Sequence, residues 1–260
     1  IIGGIVSGSL ALLADALHNF SDAASLAIAW MAVKIGRKPA DQFKTFGYKR
    51  AELIAALINL TTLILLGLYL ISEAVQKFWE PSPVAGWIMI SVAGLALVVD
   101  LYTVWLTHSG SKQSLNMRAA FLHNLMDALA SIAVMIGGGL ILAFEIYWID
   151  PLLTLLIAGY VIYHGARETP RVIHVLMDGT PESVDIPNLI SSLEADEAVE
   201  NVHHVHVRFL DEHRKALEAH IVLSDHKTLD QVKKRLKQRL AEDFEIGHST
   251  LEFELSHCQE

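Results

Sequence analysis

The chain has 260 residues, of which 52% are hydrophobic and only 19% charged, and its formal net charge at pH 7 is −9. This composition excludes an intrinsically disordered chain, and the negative charge argues against a nucleic-acid partner. The single cysteine, Cys258, excludes an internal disulfide framework and fits a reducing compartment.

The charges are unevenly distributed along the chain. Residues 1–178 have a net charge of −1, whereas residues 179–260 have a net charge of −8. We therefore predict two domains, a sparsely charged one over residues 1–178 and a small acidic one over residues 179–260.

The first domain contains five long apolar runs that predict transmembrane helices, because about 20 helical residues cross the hydrocarbon layer. A soluble protein built on buried helices is the alternative, but these runs leave too little polar sequence to cover them. The runs extend over Ile5–Val33, Leu53–Phe78, Gly86–Leu106, Ala119–Phe144 and Pro151–Tyr163.

The segments between the runs indicate the orientation in the membrane. Basic residues are concentrated after the first, third and fifth runs, and short basic segments stay on the cytoplasmic side. The acidic domain is therefore predicted to be cytoplasmic, and the chain is predicted to begin on the outer side. Because the chain opens with Ile1 inside an apolar stretch, we expect one further helix upstream.

Two of the apolar runs contain the same polar motif, His-x-x-x-Asp. His18 and Asp22 lie in LADALHNFSDAAS, and His123 and Asp127 lie in FLHNLMDALAS. Residues four apart share one helix face. Ionisable groups inside a membrane are energetically unfavourable, so those that occur there usually have a function. If the two helices face each other, two imidazoles and two carboxylates converge, and this ligand set suits tetrahedral Zn²⁺. A proton-sharing His/Asp cluster without metal is the alternative interpretation.

Asp100 is a lone carboxylate in the third run, within LALVVDLYTVW. It could carry protons, support the metal ligands or line a vestibule, and the sequence leaves these roles open.

The acidic domain has the pattern of a small α+β fold. Residues 186–195 and 228–244 are predicted to be helical, and residues 202–210, 217–223 and 249–255 are predicted to be strands. This α-β-β-α-β order favours an open-faced sandwich. Alternation along the first strand predicts His204 and His206 on one face and His203 on the other. This His-rich acidic sheet is a second candidate Zn²⁺ site.

The chain resembles the cation diffusion facilitators, in particular the bacterial cobalt-zinc-cadmium-type and vesicular zinc transporters. The similar stretches are GSLALLADALHNFSDAASL, FGYKRAELIAALIN, HNLMDALASIAV, IDPLLTLLIAGYVI, LMDGTPE, VHHVHV and HSTLEFE. The resemblance implies a bundle of six transmembrane helices, five of them in this chain, followed by a ferredoxin-like cytoplasmic domain through which the protein forms a homodimer.

The resemblance also implies site residues. The transport site would consist of His18, Asp22, His123 and Asp127. The cytoplasmic sites would draw on His203, His220, His248 and Glu254, with His226 and Cys258 as further candidates.

Two positions depart from the family pattern. In the segment DQFKTFGYK, Asp41 is kept but Lys44 and Tyr48 stand where histidines are expected, so we predict no metal site there. Asp100 occupies a position where asparagine is expected.

The function that follows is export of Zn²⁺ from the cytoplasm in exchange for H⁺, with Cd²⁺ and Co²⁺ as further cargo ions. The expected location is the bacterial inner membrane, with the lipid bilayer as partner and without enzymatic activity. A membrane-anchored metal sensor and an intramembrane zinc metalloenzyme are the alternatives. The enzyme lacks support because no His-Glu-x-x-His motif is present.

Overall fold

The computed structural model describes residues 1–108, 115–211, 214–224 and 229–254. Contacts between residues divide the chain into two compact units. The first contains residues 1–27 and 58–168, and the second contains residues 28–57 and 169–260.

In the part of the chain that the structure describes, six helices precede residue 179. Their bounds are α1 Ile2–Ser7, α2 Leu10–Gly36, α3 Ala51–Trp79, α4 Gly86–His108, α5 Leu115–Phe144 and α6 Ile149–Leu176. Within the described residues, four segments are long and apolar enough to cross a membrane: α3, α4, residues 121–144 of α5, and α6. The predicted second to fifth runs correspond to these four segments.

The first predicted run differs from the structure, because it is not one continuous helix. Gly8 adopts a left-handed conformation with φ 70° and ends α1, so α2 begins only at Leu10. A residue without a Cβ adopts this conformation at little steric cost. The polar residues Asp15, His18 and Asp22 lower the hydropathy of α2, which is not among the four apolar segments.

A carboxylate from another helix caps the start of α2. Asp150, at the start of α6, is fully buried and accepts hydrogen bonds from the Ser9 hydroxyl and from the backbone N–H groups of Leu10 and Ala11. These N–H groups lack partners within their own helix. Asp150 therefore fixes the first turn of the helix that carries His18.

Glycines allow α4 and α5 to pack closely. A Cβ atom added to Gly86 would lie 2.7 Å from the carbonyl oxygen of Gly138. This approach of backbone to backbone needs a residue without a side chain, and it is typical of helices that associate in membranes.

The second unit contains α7 Ile186–Glu194, β1 Val199–Phe209, β2 Lys215–Leu223, α8 Leu229–Asp243 and β3 His248–Glu254. The strand order is β1-β2-β3, with β1 antiparallel and β3 parallel to β2. The predicted α-β-β-α-β order is confirmed. Both helices pack on the sheet through buried residues such as Leu189, Leu193, Leu236, Leu240 and Ile221.

The register of β1 shifts between His203 and His206. Within this irregularity His204 adopts φ 49°, a conformation that is uncommon for residues other than glycine. Such a bulge turns a side chain away from the face that strict alternation would give it.

Candidate metal sites

The two His-x-x-x-Asp pairs meet in the first unit. The Nε2 atom of His123 lies 3.0 Å from Oδ2 of Asp22, and Nε2 of His18 lies 3.5 Å from Oδ1 of Asp127. Within α2, Nε2 of His18 lies 3.7 Å from Oδ2 of Asp22. Within α5, Nε2 of His123 lies 3.5 Å from Oδ2 of Asp127. The structure therefore brings together all four predicted residues of the membrane site.

These separations suit a tetrahedral ion. Ligand atoms about 2.0 Å from Zn²⁺ lie about 3.3 Å from one another at the corners of a tetrahedron. The four separations between an imidazole nitrogen and a carboxylate oxygen extend from 3.0 to 3.7 Å, with Asp127 contacting the two histidines through different oxygens. Ligand atoms of His18, Asp22 and His123 lie within 4.8 Å of one another. The two imidazole rings, with centroids 5.8 Å apart, meet edge to face and leave both Nε2 atoms directed toward the carboxylates.

The four ligands differ in access. The side chains of His18 and Asp127 are 14% and 11% exposed, whereas those of Asp22 and His123 are 37% and 45% exposed. Both ring nitrogens of His18 are buried without a hydrogen-bond partner in the described residues. A buried imidazole in this state is unfavourable, and a metal ion would provide a partner for its Nε2 atom. The donor set therefore fits Zn²⁺.

A hydrogen bond supports the helix that carries His18 and Asp22. The Ser25 hydroxyl donates to Oδ1 of Asn59 on α3 over 2.6 Å. This contact joins α2 to α3, as polar side chains commonly do between helices in membranes.

A second cluster lies on the sheet of the second unit. Nitrogen atoms of His203, His204 and His220 lie within 4.8 Å of one another. Glu254 on β3 joins them, with its oxygens 2.6 Å from Nδ1 of His220 and 3.4 Å from Nε2 of His203. The donor set of imidazoles and a carboxylate fits a divalent ion of the zinc type.

His204 is the ligand candidate that the alternation pattern assigned to the opposite face. The shift in register after His203 and the positive φ of His204 bring its ring to 5.1 Å from His203 and 4.9 Å from His220. The density of histidines in VHHVHV was a signal for a metal site in the sequence. The bulge that brings His204 to the same face as His203 could not be predicted from it.

His248 does not join this cluster within the chain. It is opposite Ala216 in the β2–β3 register, whereas His220 is opposite Glu252. Four residues of strand separate the two positions by about 13 Å. Instead, the ring of His248 lies 6.5 Å from that of Phe46. His226 and Cys258 lie outside the described residues.

The segment between α2 and α3 is organised by Asp41. Its carboxylate accepts hydrogen bonds from the Tyr48 hydroxyl and from the N–H groups of Phe43 and Lys44. These bonds, led by that from Tyr48, lower the pKa of Asp41, and the same contact raises the pKa of Tyr48. Asp41 thus stabilises a turn.

Comparison with known families divides the chain into two matched regions. Residues 1–177 match the model of the cation efflux transmembrane domain. Residues 181–254 match the model of the cation efflux protein cytoplasmic domain. The chain belongs to the cation diffusion facilitator family.

Relatives of known name are similar over most of their length. A cadmium, cobalt and zinc/H⁺-K⁺ antiporter of Bacillus subtilis is 38% identical, over 97% of this chain and 83% of the relative. Zinc transporter ZitB of Pectobacterium atrosepticum is 36% identical, over 100% of this chain and 82% of the relative. The metal cation efflux system protein CzcD of Cupriavidus metallidurans is 33% identical, over 100% and 83%.

A solved structure described as the metal-bound C-terminal domain of the CzcD transporter from Cupriavidus metallidurans is 32% identical. It covers 28% of this chain and all of the solved chain, with a TM-score of 0.27. This member of the cation diffusion facilitators therefore has a helical transmembrane domain followed by a cytoplasmic domain. The cytoplasmic domain contains the small sheet.

Proposed function

We propose that this chain exports Zn²⁺ from the cytoplasm in exchange for H⁺ by alternating access. The observation that carries this proposal is the convergence of two imidazoles and two carboxylates from α2 and α5, of which His18, Asp22 and His123 have ligand atoms within 4.8 Å of one another. Cd²⁺ and Co²⁺ are further cargo ions, in line with the names of the relatives.

Competition between protons and metal at this site accounts for the exchange. Zn²⁺ requires neutral imidazole and ionised carboxylate, so protons and metal exclude one another. When the site faces a near-neutral cytoplasm, metal binds. When it faces a more acidic exterior, protonation of His18 and His123 weakens coordination and releases the ion. Rocking of helices about the site would expose it to each side in turn.

We propose further that the domain over residues 179–260 has a ferredoxin-like fold, forms a homodimer and binds Zn²⁺ at His203, His204, His220 and Glu254. The match to a family model for the cytoplasmic domain supports this proposal, as does the clustering of the four side chains. Residues 1–178 would supply five of six family helices, including α2, in the bacterial inner membrane.

Reconstituted vesicles test the transport site. Zinc uptake driven by a pH gradient should fall to background in His18→Ala and in Asp127→Ala. His164→Ala serves as the matched control, since it removes an imidazole from α6 outside the cluster. If Asp127→Ala moves zinc at the parent rate, the assigned site is wrong.

The same assay separates the other function classes. A membrane-anchored sensor would bind zinc without any flux in the parent protein. An intramembrane metalloenzyme would hydrolyse peptide substrates in detergent, and this activity would depend on His18.

A further inference from the structure

Two more carboxylates of the first unit are placed next to the helices that carry the metal ligands. Asp15 precedes His18 by three residues on α2, and Asp100 belongs to α4. Asp100 accepts a 2.7 Å hydrogen bond from the hydroxyl of Ser131, which follows Asp127 by four residues on α5. Because His18 pairs with Asp127 and Asp22 with His123, α2 and α5 run antiparallel here. Asp15 and Ser131 are therefore both displaced from the ligands toward the start of α2.

Both carboxylates are buried. Asp15 is 3% exposed and Asp100 is 8% exposed. The Asp15 carboxylate accepts no hydrogen bond from the described residues, and neither group forms an ion pair with a lysine or arginine there. An ionised carboxylate in such a place is strongly unfavourable. At least one of the two carboxylates must therefore bind a proton or another cation.

The surrounding groups make this requirement more severe. The charges of Asp100 and Asp127 disfavour ionisation of Asp15. His18 and the amino group of Ile1 favour it. Asp100 is acted on by Asp127, and its only hydrogen-bond donor in the described residues is Ser131. Like charges that share a buried region do not all ionise together.

We propose that Asp15 and Asp100 form a proton-binding site separate from the metal site, which supplies part of the protons exchanged for each metal ion. This inference rests on the proposed metal/proton exchange. A divalent ion at His18 and Asp127 brings positive charge next to Asp15, so metal binding would favour loss of the shared proton. When the metal leaves, the proton returns. The two cargoes are thus coupled without sharing every ligand.

Vesicles that contain both a zinc dye and a pH dye test the proposal. The double variant Asp15→Asn/Asp100→Asn keeps the size of both side chains and all four metal ligands. It should exchange about one proton fewer per zinc ion than the parent, because a coupled buried pair retains at least one proton. Zinc movement down its own gradient should persist. Glu80→Gln, which removes an exposed carboxylate, should leave the ratio unchanged.

Infrared difference spectra of the zinc-free and zinc-bound full chain give a readout that does not need transport. The carbonyl band of a protonated carboxylic acid should disappear on addition of zinc in the parent and in Ser131→Ala, which keeps both carboxyls. That zinc-sensitive band should be absent in Asp15→Asn/Asp100→Asn.

The outcomes separate this proposal from the one on which it rests. If the parent moves zinc without protons, the proposed exchange fails. If the parent exchanges protons but the double variant gives the same proton-to-zinc ratio and the same infrared band, only the separate proton site is refuted. A zinc ion bound in place of the proton would also refute it, and would appear as one zinc fewer bound by the double variant.

Discussion

Asp150 provides the sharpest test of how the metal site is held in place. Its carboxylate accepts hydrogen bonds of 2.8 Å and 3.1 Å from the N–H groups of Leu10 and Ala11, in addition to that from Ser9. Ala11 and Asp150 are completely buried. Replacement by alanine leaves these donors without an acceptor at the start of α2.

The expected cost follows from the number of bonds lost. Each hydrogen bond to a charged group contributes about 1.5–3 kcal/mol. The Ser9 hydroxyl can rotate to another acceptor, but the two backbone N–H groups cannot. Asp150→Ala should therefore destabilise the protein by about 3–6 kcal/mol. At roughly 2–4 °C per kcal/mol for a chain of this size, the midpoint of thermal unfolding should fall by about 6–24 °C.

Thermal unfolding of the full chain in detergent, followed by fluorescence-detected size exclusion at one heating protocol, measures this change. Ser9→Ala is the matched control, because it removes one donor to Asp150 and the acceptor for the N–H of Leu12 but keeps the carboxylate. Ser9→Ala loses one bond to a charged group and one neutral bond, so it should cost about 2–4.5 kcal/mol, less than Asp150→Ala. If Asp150→Ala melts no lower than Ser9→Ala, then Asp150 does not anchor α2.

Three further predictions concern the ligands and the second unit. His18→Asp replaces a nitrogen ligand by oxygen and should reduce discrimination between Zn²⁺ and Cd²⁺ in competitive uptake, whereas unchanged selectivity would argue against His18 as a ligand. His204→Gly removes the strain of a positive φ, so the metal-free protein should gain about 1 kcal/mol in stability. The additional stabilisation by zinc should become smaller, and equal stabilisation by zinc would exclude His204 from the site. Arg235 donates two hydrogen bonds to Asp196 and lowers the pKa of this buried carboxyl. The resulting stability is present above the unfolded pKa of about 3.9 and is lost as the pH falls through the lower folded value. Asp196→Asn should therefore weaken hydrogen-exchange protection of α8 at pH 7, but the difference from the parent should vanish in strong acid, and a difference that persists there would contradict the reasoning.

Much of the architecture is predictable because it depends on patterns within single segments. The apolar runs predicted α3 to α6, and the alternation within residues 202–210 and 217–223 predicted two strands of the sheet. The spacing of His18 from Asp22, and of His123 from Asp127, places each pair on one helix face whatever the rest of the chain does. For the same reason the ligand types could be proposed before any contact was known.

The first helix was less predictable, because its boundary depends on one backbone conformation. Gly8 breaks the apolar run that begins at Ile5, and the new helix starts where Asp150, 140 residues away from Leu10, provides its acceptor. No local signal in residues 1–15 identifies this distant partner.

The cluster on the sheet shows the same division. The sequence determined which histidines lie on β1 and β2, but strict alternation separated His203 from His204. Only the shift in register and the positive φ bring both rings next to His220, and only the parallel pairing of β3 places Glu254 beside them and His248 far away. Likewise, the sequence determined that Asp15 and Asp100 are acids within apolar helices. That both are buried in the same unit was decided by packing, since the distance between residues on different helices is a property of the tertiary structure alone.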